Sequence, residues 1–271
     1  MLNLLVSIKQ VPDTTNIRIN PETGTLVREG VPSIINPYDV VALSAANQLK
    51  NKYGGTITVI TMGPPQAKYA LKEAVELGAD RIILLTDRKF AGADTLATSY
   101  TLAQLIKYLE KEKPFHLYFF GKQAIDGDTA QVGPGVATRL GVPVVTYVSK
   151  IIDLDIKKRK IVLQRKTEKG IEVLEAQLPV LLTCEKDLAE IPFVPFSEIL
   201  KAIKAEPEVI GVEDKVPFER DKLGLKGSPT QVKKVFTPEL KKRGKIYKLN
   251  EVPIKEIVSE ITGILKGKGI L

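Results

Sequence analysis

The chain has 271 residues, 44% of them hydrophobic, and a formal net charge of +8, enough for one large α/β domain with an appendage or for two small domains. One cysteine, Cys184, and one histidine, His116, speak against a metal-ligand set and against Cys/His or Ser/His/Asp nucleophilic catalysis. No apolar run reaches the roughly 18–20 residues that span a bilayer, and the start Met1–Gln10 lacks the basic segment and cleavage site of a signal peptide; a cytoplasmic protein without membrane insertion is the expectation.

In chain order, Leu2–Ile8 reads as a strand. Residues from Lys9 to Asn36 are punctuated by Pro and Gly, with Asn16–Ile19 and Thr25–Val27 expected to pair as a small hairpin. Val40–Lys52 carries Val41, Leu43, Ala45, Ala46 and Leu49 close to one face at a 3.6-residue period, so a helix is predicted. Strands at Thr56–Thr61, Arg81–Leu85, Phe115–Phe120 and Val144–Val148 then alternate with helices at Ala67–Leu77, Thr95–Lys111 and Thr129–Leu140. Continuous apolar strands between amphipathic helices predict an α/β fold, a three-layer sandwich whose mostly parallel sheet is covered on both faces. Ligands of such sheets sit beyond the carboxyl ends of the strands.

From Ile151 the pattern changes to short strands without helices, Ile151–Ile156, Lys160–Arg165, Ile171–Ala176 and Pro179–Thr183, expected as an antiparallel extension with a turn at Lys157–Lys160. Cys184 follows an apolar run and reads as a small core residue. Beyond Ile191 seven prolines, from Pro192 to Pro253, cut the chain into pieces too short for a core of their own. The expected division is a domain of residues 1–190 and an extended C-terminal arm, 191–271, that wraps over another surface and ends in a helix, Ile254–Leu265. Residues 201–271 hold 16 Lys and Arg against 10 Asp and Glu, a net of +6. These charges have no aromatic stacking platform among them, so a solvated face or a surface for an acidic partner is expected, not nucleic-acid binding.

The segment richest in chemistry is Gly121-Lys-Gln-Ala-Ile-Asp-Gly-Asp-Thr-Ala-Gln-Val-Gly-Pro134. It leaves a strand and enters a helix whose first residues come from Asp128, Thr129 and Gln131. Free N–H groups at such a helix start suit a phosphate. Gly121, Gly127 and Gly133 permit close backbone approach. An ordinary strand-to-helix connection is the alternative, and neither G-x-x-x-x-G-K-[ST] nor G-x-G-x-x-G is present.

This loop, together with Val6–Pro12, Ile35–Asp39 and Met62–Pro64 in the same order, closely resembles the β subunit of electron transfer flavoproteins, from the first strand to about residue 200. The resemblance implies a Rossmann-like adenine-nucleotide-binding fold. It implies backbone contact at Ser7, base or ribose contacts from Asn36, Pro37, Tyr38 and Asp39, and an adenine pocket lined by Met62. It also implies a phosphate loop of Ala124, Ile125, Asp126, Gly127, Asp128, Thr129, Ala130, Gln131, Val132, Gly133 and Pro134.

Asp126-Gly127-Asp128 with Thr95 and Thr98 is similar to the electron-bifurcating branch of that family, which implies a full FAD on this subunit, the flavin edge near the two threonines, and NADH as electron donor. For Thr95 a helix-capping role, shared with Asp94, is the alternative. AMP in place of FAD, in a non-bifurcating subunit that shuttles electrons from acyl-CoA dehydrogenases, is the second reading. An ATP-using enzyme is the third, disfavoured by Lys9-Gln-Val-Pro-Asp13 where a Ser-Gly-Gly-type loop is expected. The implied partners are an α subunit and a flavin dehydrogenase or quinone oxidoreductase, with ferredoxin as a further acceptor. Pro195–Ala202 resembles the family's recognition segment, with Phe196, Ile199 and Leu200 as docking residues and Phe196 where leucine is common; a short helix packed on the core is the alternative. Arg165–Glu172 keeps only part of the family signature, because Lys169 interrupts its acidic run.

Overall fold

A computed structural model describes residues 1–13, 18–19, 26–27, 32–231, 246–248 and 250–271. The chain runs β1 (Leu2–Ser7), β2 (Gln10–Pro12), β3 (Arg18–Ile19), β4 (Leu26–Val27), β5 (Ser33–Ile35), α1 (Pro37–Tyr53), β6 (Gly55–Met62), α2 (Lys68–Glu76), β7 (Arg81–Leu85) and α3 (Thr95–Leu109). It continues through β8 (Leu117–Gly121), α4 (Val132–Leu140), β9 (Val144–Asp155), β10 (Lys160–Thr167), β11 (Gly170–Gln177), β12 (Val180–Cys184), α5 (Phe196–Lys204), β13 (Glu208–Ile210) and α6 (Ile254–Gly267). Nine strands form one sheet in the order β11-β10-β9-β12-β8-β1-β6-β7-β13. From β9 to β13 all neighbours are parallel, and β10 and β11 extend the sheet antiparallel.

All six residues of β1 are buried, as befits a central parallel strand with helices on both faces. Its even-numbered side chains, Leu2, Leu4 and Val6, face a core shared with Ala42, Leu43 and Ala46 of α1 and Leu71 of α2. Leu5 faces the opposite core, with Leu105 and Ile106 of α3 and Val136 of α4. Leu154, Ile161 and Leu163 of the antiparallel extension join the first core. The expected three-layer α/β sandwich is therefore present.

Strand β12 departs from expectation. It lies parallel between β8 and β9, not in the antiparallel extension. Its five residues, Val-Leu-Leu-Thr-Cys, are all buried, and such a run fits a doubly covered parallel position better than a half-exposed antiparallel one. The two strands expected at Val144–Val148 and Ile151–Ile156 are one strand, β9, with Tyr147 at a positive φ of 58° beside a break in its register with β12; such a bulge bends a strand without ending it. Helix α4 begins at Val132 rather than Thr129, because Asp128 and Ala130 have φ of 49° and 54°, outside the right-handed helical region. His116 lies just before β8, its Nδ1 accepting the Asn3 N–H at 3.0 Å. Of the hairpin expected at Asn16–Val27, Arg18–Ile19 and Leu26–Val27 pair antiparallel, and the rest lies outside the described residues.

Two compact units divide at Lys233, not at 190. Residues after Ile191 are short of a core of their own, but Ala202, Ile210, Val212, Val216 and Leu223 are buried in the first unit and β13 pairs with β7. In the second unit α6 presents Ile254, Ile257, Val258, Ile261, Ile264 and Leu265 at helical spacing. Among the described residues no helix is long and apolar enough to cross a membrane, and no group of three metal-ligating side chains is present.

Candidate functional site

The chain adds β6 and β7 on one side of β1, then crosses over to place β8 on the other. A sheet that reverses its order this way opens a crevice at the carboxyl ends of the two central strands. Ser7 and Phe120 are in register there, so the residues that follow, Ile8-Lys9 and Gly121-Lys122, form the rims of the crevice.

Asn36 and Asp39 at the start of α1 tie these rims together. Asn36, buried at the cap position with Pro37 beginning the helix, donates its backbone N–H to the Lys9 carbonyl at 2.9 Å. Its amide nitrogen donates to the Gln123 carbonyl at 2.9 Å, and its amide oxygen accepts the Ile125 N–H at 3.1 Å. Buried Asp39 accepts the Lys9 N–H at 2.7 Å and the Gly121 N–H at 3.0 Å. Burial pushes its carboxyl up to about 7, against the lowering effect of the two N–H bonds and the Asn36 amide. Gly121 is required here, since a Cβ would meet Asp39 Oδ1 at 2.1 Å.

From Gln123 to Gln131 the chain forms a loop over the crevice. Lys9 Nζ reaches Asp126 at 2.7 Å, Gln123 Nε2 donates to Asp128 at 2.7 Å, and Thr95 Oγ1 meets Gln131 Oε1 at 2.8 Å. Among the described residues, no acceptor takes up the backbone N–H groups of Thr129, Ala130, Gln131, Val132 and Gly133. Successive free N–H groups at a helix start are what an anionic phosphate needs. Gly133 lets α4 approach the sheet, for a Cβ would meet Thr183 Cγ2 at 2.7 Å. Gly127 is different: no atom lies within 4 Å of where its Cβ would be. The donor set, the glycine cradle and the open side at Gly127 fit a nucleotide phosphate or pyrophosphate.

The sequence-derived residues do not all fall together. Asn36, Pro37, Asp39, Thr95 and the whole stretch from Ala124 to Pro134 belong to one hydrogen-bonded network or its covalent run. Ser7 and Met62 lie at the ends of the adjacent strands β1 and β6, Ser7 buried and Met62 half-buried. Thr98 is in the first turn of α3, where Asp94 is the cap and accepts the Leu96 and Ala97 N–H groups at 2.9 and 3.0 Å. Thr95 is thus not the cap. Tyr38 carries Lys186 Nζ 5.0 Å and Lys122 Nζ 5.9 Å from its ring centre, and Lys122 also pairs with Glu185 at 2.9 Å. Sequence reasoning missed Lys9 and Gln123 as site members; the signal for Lys9 was its place directly after the first strand.

Phe196, Ile199 and Leu200 are elsewhere, on α5, which packs against α2. Ala202 is the buried contact, and Lys72 of α2 donates to the Ile203 carbonyl at 3.1 Å and pairs with Glu206 at 2.7 Å. Phe196 is 72% exposed and Leu200 45%, while Ile199 is half-buried. Phe196 is therefore not a core residue of this unit.

Residues 23–215 match the electron transfer flavoprotein domain. The chain is 49% identical to the electron transfer flavoprotein subunit beta of Clostridium acetobutylicum, over 98% of each chain. It is 48% identical to Protein FixA of Azotobacter vinelandii, over 88% of this chain and 85% of that one. The caffeyl-CoA reductase-Etf complex subunit CarD of Acetobacterium woodii is 45% identical over the full length of both.

Proposed function

This chain belongs to the electron transfer flavoprotein family, and we propose that it is the β subunit of a heterodimer in which it binds FAD and takes electrons from NADH for flavin-based bifurcation. The observation that carries this reading is the loop above the crevice: free N–H groups from Thr129 to Gly133 beside an open flank at Gly127. An AMP phosphate needs the first feature only. A dinucleotide's second phosphate needs the second as well, because its chain must leave the cradle. FAD supplies, when bound, the exchange between a two-electron donor and one-electron acceptors.

The chain's own residues bind and orient. The loop N–H groups face the ligand's negative charge, the Lys9 ammonium pins Asp126, and Asn36 fixes the loop's height by holding Gln123 and Ile125. Met62 and Tyr38 offer a thioether and a ring to the adenine side. The AMP reading gains from one fact: the Thr95 hydroxyl spends its one proton on Gln131, so it has no donor left for a flavin carbonyl and can only accept. The exposed apolar face of α5 docks a flavin dehydrogenase or quinone oxidoreductase, with ferredoxin as the low-potential acceptor. Helix α6, with its stripe of apolar residues, covers an α subunit. The deciding experiment is to co-purify this chain with its α subunit, release the ligands in acid and count them. Two FAD per heterodimer is the expected result; one FAD and one AMP supports the second reading, and no adenine nucleotide refutes both.

A further inference from the structure

We propose that Asp39 is a positioning residue of the nucleotide site: without touching the ligand, its carboxylate holds the backbone N–H groups of Lys9 and Gly121 and so sets the width of the crevice between β1 and β8. The proposal rests on the nucleotide-binding reading above and replaces the expected direct contact of Asp39 with base or ribose.

Three observations carry it. First, both oxygens are committed inward, Oδ2 to the Lys9 N–H at 2.7 Å and Oδ1 to the Gly121 N–H at 3.0 Å, and the side chain is buried. Second, these bonds are not helix capping. Asp39 is the third residue of α1, yet its partners are Lys9, just past the end of β1, and Gly121, the last residue of β8, 30 and 82 residues away. Third, among the described residues the other ties of the phosphate loop to the β1 side run through Lys9. The Lys9 carbonyl accepts from Asn36, which holds Gln123 and Ile125, and the Lys9 ammonium holds Asp126. A displaced Lys9 would move the loop with it.

The chemistry also demands a carboxylate. Both partners are donors, so two acceptor atoms are needed in one planar group. An Asn of the same shape would turn its NH2 toward one of the two N–H groups. Protonation has a related effect, because it converts one acceptor into a hydroxyl. The groups facing Asp39 are the Lys9 ammonium, itself paired with Asp126, the Asn36 amide, and the Cys184 thiol of β12, which burial keeps protonated. Next to it along α1 stands Tyr38, with the Lys122 and Lys186 ammoniums over its ring. With its carboxyl at about 7, Asp39 passes from the protonated to the two-acceptor form in the neutral range.

The test is FAD binding to the full chain, followed by flavin fluorescence from about pH 6 to about pH 8; the diester phosphates of FAD do not titrate there. Affinity should tighten roughly tenfold as pH rises through about 7, the scale of one buried acceptor regained. Asp39→Asn should bind at least about tenfold more weakly at pH 8 and show no inflection. A wild-type affinity that is flat or weakens with rising pH overturns the proposal, and so does an Asp39→Asn chain that binds FAD as the wild type does. If the variant does not fold, the wild-type profile alone decides. A wild-type chain that binds neither FAD nor AMP at any pH removes the nucleotide reading itself, and this proposal with it.

Discussion

Gly133 and Gly127 lie six residues apart in one loop, and the structure assigns them opposite responses to the same change. In Gly133→Ala the new Cβ would sit 2.7 Å from Thr183 Cγ2, about 1 Å inside ordinary contact, and 3.5 Å from Phe120 Cβ. Thr183 cannot easily turn aside. It is 3% exposed, and its hydroxyl accepts the Tyr147 N–H at 3.2 Å. Overpacking of this kind costs about 1–3 kcal/mol, offset in part by the better helix propensity of Ala, up to about 1 kcal/mol. A net loss of about 1–2 kcal/mol should lower Tm by roughly 3–6 °C. Relief of the clash tilts the start of α4, so nucleotide affinity should fall with it. Gly127→Ala meets nothing within 4 Å and Gly127 has no positive φ. Its effect comes from the unfolded chain, a gain of about 0.4–1 kcal/mol. Thermal denaturation and AMP titration of the two variants side by side measure all of this. Equal stability of the two variants, or a Gly133→Ala chain as stable as the wild type, would refute the packing argument.

Four further outcomes follow from the same geometry. Asp94→Ala removes the α3 cap and the hold on the Thr230 N–H and hydroxyl, at 3.2 and 2.8 Å; urea denaturation should show a loss of about 1–2 kcal/mol, and proteolysis near Thr230 should speed up. The Asp39 carboxyl is raised from 3.8 to about 7 in the fold, so the folded chain keeps a proton that the unfolded chain has lost. That contribution is full below about pH 4 and disappears as pH rises through about 7, close to 4 kcal/mol in all; wild-type stability should fall over that window relative to Asp39→Asn, and parallel curves would contradict the burial argument. Phe196→Ala, at an exposed position, should change stability by less than about 0.5 kcal/mol while slowing electron delivery to the partner dehydrogenase; a lowered Tm with loss of dye reduction would place Phe196 in a core instead. Truncation after residue 231 should leave the first unit folded, as circular dichroism and a cooperative melt would show. Truncation after 190 removes buried Ile210, Val212, Val216 and Leu223 and the β13–β7 pairing, each such side chain worth about 1.5–3 kcal/mol of burial; a markedly lower Tm is expected, and a product as stable as the full chain would overturn that account.

Most of what depends on neighbours along the chain is legible in the order of residues alone. Arg81–Leu85 was readable as a strand to the residue, and α3 from its first residue, because apolar periodicity and the Asp94 cap are local signals. The glycine-rich loop was legible for the same reason, since a tight path from strand to helix needs residues that tolerate it. Tertiary structure decided the rest. Cys184 and its strand read as one more short piece of an antiparallel run, and only the open flank of β8 drew them into the parallel sheet. The helix expected from Thr129 starts three residues later, because the loop's course across the crevice puts Asp128 and Ala130 at positive φ. The proline-rich stretch after Ile191 looked like an arm as far as its own composition went, but β13 found a partner in β7. Lys9, Asn36 and Asp39 became the frame of the site through bonds spanning 30 to 117 residues. No local pattern encodes such bonds; they exist because the sheet brings the ends of β1 and β8 side by side, where a buried carboxylate must find donors or remain protonated.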